Sequence, residues 1–155
     1  MTPSAAHPRR LRVVHVSLGL DVGGQEKLLL EFARLLDRSR FEAHFLSLTT
    51  AGPVAQGIAA RNWPVSALHS TGGVRPGLLW RLTAFFRQHR FDIIHTHDER
   101  PLLYACLPAR LAQSRVLVHT HHHGFLPQIS ARQRRLTALA ARLTRRFVCV
   151  PEDSR

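Results

Sequence analysis

Apolar residues along this chain switch between strand-like runs and helix-like spacing, and the switches are punctuated by glycine or proline. Leu11 to Leu18 (LRVVHVSL) is a β-branched run bounded by glycine, which predicts a buried strand. From Gln25 to Leu36, the residues Leu28, Leu29, Phe32, Leu35 and Leu36 recur at helical spacing and leave Glu26, Lys27, Glu31 and Arg34 for the outer face. Phe41 to Leu48 alternates as a second strand, Gly52-Pro53 turns out of it, and Val54 to Asn62 reads as a short helix. Pro64 to Leu68 is a weak third strand. Ser70 to Gly73 then opens a loop that Pro76 closes at the start of a helix, Gly77 to His89. Asp92 to His97 (DIIHTH) and Arg115 to His121 (RVLVHTH) are the fourth and fifth strands, with a helix at Pro101 to Ala112 between them. Ala131 to Arg145 is a long basic helix, and Phe147 to Val150 a sixth strand.

Strands that alternate with helices from end to end predict a parallel sheet, because parallel neighbours need crossovers and the crossovers cover both faces. The expected fold class is α/β: a Rossmann-like, doubly wound parallel sheet in three layers, with about six strands in the order 3-2-1-4-5-6. In that order the first and fourth strands are neighbours where the winding reverses. Ligands sit at the C-terminal ends of such strands, here after Leu18 and after Ile94. At 155 residues one domain is expected, 11–155, behind a disordered lead-in at 1–10 that lacks the apolar core of a secretory signal. No apolar stretch reaches the roughly 18–20 residues that a bilayer crossing needs.

Composition changes this picture little. The two cysteines, Cys106 in a helix and Cys149 in a strand, have neither metal-knuckle nor redox spacing, which predicts a reduced, cytoplasmic chain. The formal charge of +12 would suit a polyanion. Lys27 is the only lysine, however, and the arginines are spread over every helix instead of forming one stripe, so nucleic acid is disfavoured as a partner. An anionic membrane surface, met peripherally at the inner face, is the better-supported alternative. The helix 131–145 carries Arg132, Arg134, Arg135, Arg142 and Arg145, and the helix 77–89 sets Leu78, Leu79, Leu82, Phe85 and Phe86 as a stripe with Trp80 at its edge. Core packing with a solvated face is the commoner explanation of such stripes.

Two sets of residues carry candidate chemistry. The turn Gly19 to Gly24 runs from the first strand into a helix, where glycines permit positive φ and close approach, and free helix amides favour a phosphate. Gln25-Glu26 stands where a P-loop needs Lys and Ser or Thr, so an ATPase is disfavoured. The dinucleotide glycine pattern is absent too, and Thr49-Thr50 replaces the acidic residue expected after the second strand. The second set is histidine: His95 and His97 with Asp98 beyond, and His119, His121, His122 and His123 ahead of Gly124. Alternation points His119, His121 and His123 one way and Thr120 and His122 the other. A polar rim, a sugar or phosphate contact, and a metal site with Asp98 as a third ligand all remain open. His15, in mid-strand, is read as a buried, hydrogen-bonded histidine.

Taken in order, Gly23-Gly24-Gln25-Glu26, the run Asp92 to His97, the strand closing in His123-Gly124, and FVCV at Phe147 to Val150 resemble family 4 glycosyltransferases of the GT-B type. The resemblance implies a two-Rossmann enzyme that moves a sugar from a nucleotide-sugar donor to an acceptor with retention, and without a metal or other cofactor. The N-terminal half of such an enzyme holds the acceptor. By the same resemblance Gly23, Gly24 and Gln25 lie on the donor diphosphate side, and His97 and Asp98 on the acceptor side. His123, or His121 given the histidine repeat, is the implied catalytic contact to donor sugar or acceptor hydroxyl. The family's paired glutamates are absent, so the C-terminal donor domain is expected to be missing and this piece inactive alone. Pro151 also stands where the family commonly has serine. The alternative is a stand-alone phosphate- or metal-binding Rossmann-like module.

Overall fold

A computed structural model describes residues 9–71, 76–122 and 130–149. His123 and Gly124, the loop glycines Gly72 and Gly73, and Val150 lie outside these ranges. The elements are β1 (Leu11–Ser17), α1 (Gly24–Leu35), β2 (Phe41–Ser47), α2 (Pro53–Ala59), β3 (Val65–Ala67) and α3 (Pro76–His89). They continue as β4 (Ile93–His97), α4 (Glu99–Leu111), β5 (Val116–His121), α5 (Ala131–Ala141) and β6 (Arg146–Cys149). All neighbouring strands pair in parallel, in the order β3-β2-β1-β4-β5-β6. The expected doubly wound architecture is therefore the observed one.

Strand alternation sends successive side chains to opposite faces, and each face has its own core. Val14, Val16, Ile94 and Leu117 meet Leu78, Leu82 and Phe86 of α3 and Leu102 and Ala105 of α4. On the other face Ala43 and Phe45 meet Leu29 and Ala33 of α1 and Val54, Ala55 and Ile58 of α2. Trp63 closes this second core, its indole N–H donating to the Ala33 carbonyl at 2.7 Å while the Arg38 guanidinium covers its ring.

Several boundaries differ from expectation for identifiable reasons. Leu36 leaves helical geometry as the cap of α1, with its N–H still bonded to the Phe32 carbonyl. Leu28 and Leu35, assigned to the inner face, are 38% and 67% exposed: a single helix buries a narrower stripe than those five apolar residues span. The fourth helix starts at Glu99, earlier than Pro101, because the ring of Pro101 falls in the first turn, where its missing N–H leaves no bond unmade. The fifth ends at Ala141, since Arg145 already donates its N–H to Leu117 of the neighbouring strand. Core packing explains α3, but not α5: Leu136 and Leu139 are exposed, as is Leu143 just beyond the helix, and among its described residues Ala140 alone is buried. Arg9, placed in the lead-in, is instead tied to Asp92 at 2.7 Å.

Phe86 is 1% exposed at the centre of the larger core. Phe86→Ala should lower the urea-unfolding free energy by about 3–5 kcal/mol.

Candidate functional site

The turn after β1 is held in place by one apolar side chain and a set of short hydrogen bonds. Leu20 is wholly buried in the α1/α2 core, which pins the middle of the turn. Around it Ser17 Oγ donates to the Gly19 carbonyl at 2.6 Å, and Thr49 Oγ1 to the Leu18 carbonyl at 2.7 Å. Thr50 Oγ1 reaches Asp21 at 3.1 Å. The threonines after the second strand thus brace the turn, where a dinucleotide fold would place a ribose-binding acid. A Cβ on Gly52 would come within 2.7 Å of the Asp21 Cα, so only glycine lets α2 begin this close to the turn.

Positive φ was expected of the glycines here, and the structure corrects that. Gly23 is extended, at φ −162°, and neither Gly19 nor Gly24 lies in the left-handed region. What Gly23 and Gly24 provide is access. Gly23 is the N-cap of α1 and brings no side chain to bond the first amides, and the first intrahelical bond runs from Lys27 N–H to its carbonyl. The amides of Gly24, Gln25 and Glu26 lie ahead of that bond and have no intrahelical acceptor. A Cβ on Gly24 would meet nothing within 4 Å, so the space in front of it is open.

That space is a cavity of about 590 Å³ between the ends of β1 and β4. Gly19, Gly23, Gly24 and Gln25 line one wall, and Asp98, Glu99 and Arg100 at the start of α4 line the other, with His121 between them. Asp98 holds φ 67° and ψ 168°, a conformation that side chains avoid. It is fixed there by its N–H to the Thr120 carbonyl at 2.9 Å and by the His122 N–H on its Oδ1 at 3.1 Å. Two helix N-termini therefore face one cavity, and both carry the positive end of a helix dipole. Arg100, Asp21 and Thr49 belong to this lining as well. The glycine signal found the turn, but no local pattern marks Arg100.

The histidines divide between the cavity and the interior. His121 lines the cavity, and its Nε2 has no hydrogen-bond partner among the described residues. His97, expected on the acceptor side, lies one layer beneath: it is wholly buried, and only its carbonyl reaches outward, to the Gln25 amide at 3.5 Å. Its ring continues a chain of imidazoles, with His15 Nδ1 at 3.1 Å from Nε2 and His122 Nε2 at 3.0 Å from Nδ1. His15 is buried and hydrogen-bonded as expected. His95 joins Thr120 Oγ1 at 2.8 Å, on the same face of the sheet. His119, on the opposite face with His121 as alternation predicts, is buried against Thr96 and Phe147. Nitrogens of His15, His95 and His97 lie within 4.8 Å of one another, close enough to share a metal ion. Phe32 and Phe45 surround them and, among the described residues, no carboxylate joins the cluster to offset a dication, so mutual hydrogen bonding is the arrangement that the surroundings favour.

Burial holds these rings neutral. It pushes the His15 pKa down to about 3 and that of His95 down to about 4, and the neighbouring imidazoles add to the effect. His97 is lowered by the same causes. In the unfolded chain the same groups take up protons as pH falls through 6.5, the ordinary value. Between there and about 4 the unfolded state binds more protons. Stability is thus complete above pH 6.5 and is lost on acidification. Urea unfolding at pH 7, 6 and 5 should show a falling midpoint, and His15→Phe should flatten that dependence.

The sequence profile of Glycosyltransferase Family 4 matches residues 22–155. UDP-Gal:alpha-D-GlcNAc-diphosphoundecaprenol alpha-1,3-galactosyltransferase of Escherichia coli is 24% identical over 156 residues, 94% of this chain and 40% of that protein. Among solved structures, Anabaena Alr3699/HepE in complex with UDP superposes with a TM-score of 0.69 at 18% identity, covering 88% of this chain and 37% of its own. The same protein with UDP and glucose gives 0.69 at 16% identity, over 89% and 38%. MurG of Acinetobacter baumannii gives 0.60 at 12%, over 94% and 46%. The chain thus spans less than half the length of each of these proteins. With its doubly wound sheet and the profile match over most of its length, the chain belongs to Glycosyltransferase Family 4, as an N-terminal domain of the GT-B type.

Proposed function

We propose that this chain is the acceptor-side domain of a glycosyltransferase that moves a sugar from a nucleotide-sugar donor to an acceptor with retention of configuration. The observation that carries the reading is the uncapped N-terminus of α1, opening through Gly23 and Gly24 onto a cavity of about 590 Å³. A donor diphosphate placed there accepts hydrogen bonds from the free amides and lies in the field of the helix dipole. As the glycosidic bond breaks, the charge gathering on the departing diphosphate strengthens both interactions, so they stabilise the transition state more than the ground state. UDP is the nucleotide suggested, because similar structures hold it and the galactosyltransferase relative is named for a UDP-sugar.

His121 faces the cavity and, in this reading, contacts the donor sugar or the acceptor hydroxyl, with Asp98 nearby on the acceptor side. His123 shares that assignment but lies outside the described residues. His97 then acts through its neighbours, holding His122. The longer relatives support a second domain that binds the nucleotide base and donor sugar, so activity is expected of the two domains together. No described helix is long and apolar enough to cross a membrane. Trp80, 72% exposed, and the arginines of α5 support peripheral contact with the inner, cytoplasmic membrane face.

Calorimetry with UDP is the direct test. Gly24→Val adds a side chain into open space, so it should leave the fold intact and weaken UDP binding by tenfold or more, about 1.4 kcal/mol. Undiminished binding by this variant would overturn the placement of the diphosphate. In the protein bearing both domains, His121→Ala should lower kcat by about 100-fold with little change in the donor KM. Proton coupling at the product's anomeric carbon reads retention or inversion.

A further inference from the structure

The opposite, amino-terminal edge of the sheet holds a second cavity, of about 550 Å³. Five arginines line it: Arg9 and Arg12 at the start of β1, Arg87 and Arg90 at the end of α3, and Arg115 before β5. Scattered in sequence, they are gathered by the fold around Asp92, the one carboxylate in the lining, with Glu42 beyond it at 3.6 Å from Arg12. That carboxylate is already satisfied, by Arg9 Nη2 at 2.7 Å and by the Arg12 N–H at 2.9 Å. Helix carbonyls at this end would repel an anion, but they too are covered, His89 by Arg12 and Leu111 by Arg87. The Arg90 and Arg115 guanidiniums are left exposed, with no side-chain hydrogen bond among the described residues, and Arg115 adds only its field at Asp92.

A second observation concerns the backbone. Arg90 and Gln113 hold φ values of 49° and 56° where each helix ends, and both line the cavity. Glycine or asparagine fits that conformation best, and an arginine there places a cation at the cavity mouth against local preference. We infer that this arginine-lined cavity binds a phosphate-bearing anion, at a site separate from the Gly23–Gly24 cavity. Guanidinium forks match phosphate oxygens in pairs, and the volume admits a phosphorylated small molecule or a phospholipid headgroup. The strands between the two cavities set them roughly 20 Å apart.

The test uses two probes at low ionic strength, inorganic pyrophosphate by calorimetry and phosphatidylcholine vesicles containing phosphatidylglycerol by co-sedimentation. Arg90→Asn with Arg115→Gln should weaken one or both by about tenfold, as expected when charge-assisted bonds are lost. Asparagine suits the backbone at position 90, and both side chains are exposed, so circular dichroism should be unchanged. Loss of pyrophosphate binding alone identifies a soluble ligand, and loss of vesicle binding alone a lipid headgroup. Arg34→Gln with Arg110→Gln removes the same charge from the exposed faces of α1 and α4 and should leave both probes bound. Wild-type binding by the Arg90 and Arg115 variant, or equal loss in the Arg34 and Arg110 control, overturns the inference. Gly24→Val blocks only the other cavity, so the outcome does not depend on the proposed diphosphate site.

Discussion

Parallel pairing of β1 with β4 is the constraint on which the rest of this molecule depends. Because the strands all run one way, helices that follow them begin at the same edge of the sheet, and their free amides accumulate there. Where the winding reverses, no crossover covers the gap between β1 and β4, and the starts of α1 and α4 are left facing each other across it. The two ends of the sheet thereby acquire opposite characters. One collects helix N-termini and carboxylates, the other helix C-termini and arginines. The charge of +12 is thus not uniform in effect: where arginines cover helix carbonyls they offset the dipoles, and only those left over create a local field.

Interior histidines join the site to the core. Six strands packed between helices would ordinarily carry aliphatic residues throughout, yet His15, His95 and His97 occupy adjacent strands on the α1 side. Imidazole serves there as a flat, compact ring that stacks on Phe45, packs at a tilt against Phe32 and still bonds laterally. Each N···N contact needs a single proton, so neutral rings satisfy the chain in one direction, and a proton added to the central His97 puts two protons into one contact and disrupts it. The arrangement fixes the relative heights of β1, β4 and the end of β5, and with them the position of Asp98 and His121.

Much of this is legible in the sequence. Glycine and proline punctuation with alternating strands was enough for the sheet order, and the turn after β1 was located by its glycines. Alternation also told correctly which of His119 to His122 share a face. What local pattern does not contain is depth. Nothing in DIIHTH says that His97 sits beneath the cavity wall and not in it, or that His119 is enclosed, because depth depends on helices distant in sequence. Gly52 reads as an ordinary turn glycine until Asp21 is seen against it. The arginines are scattered in the sequence for the same reason: their convergence exists only once β1, α3 and β5 are side by side.

Leu20 gives the turn a mechanical character. A glycine-bearing loop on a protein surface is usually free to adapt, but this one carries a fully enclosed leucine at its midpoint and hydroxyl braces on both sides. To swing outward it would have to extract that side chain from the α1/α2 core. The loop is therefore a fixed wall, and any closing motion around a ligand falls to whatever stands opposite it.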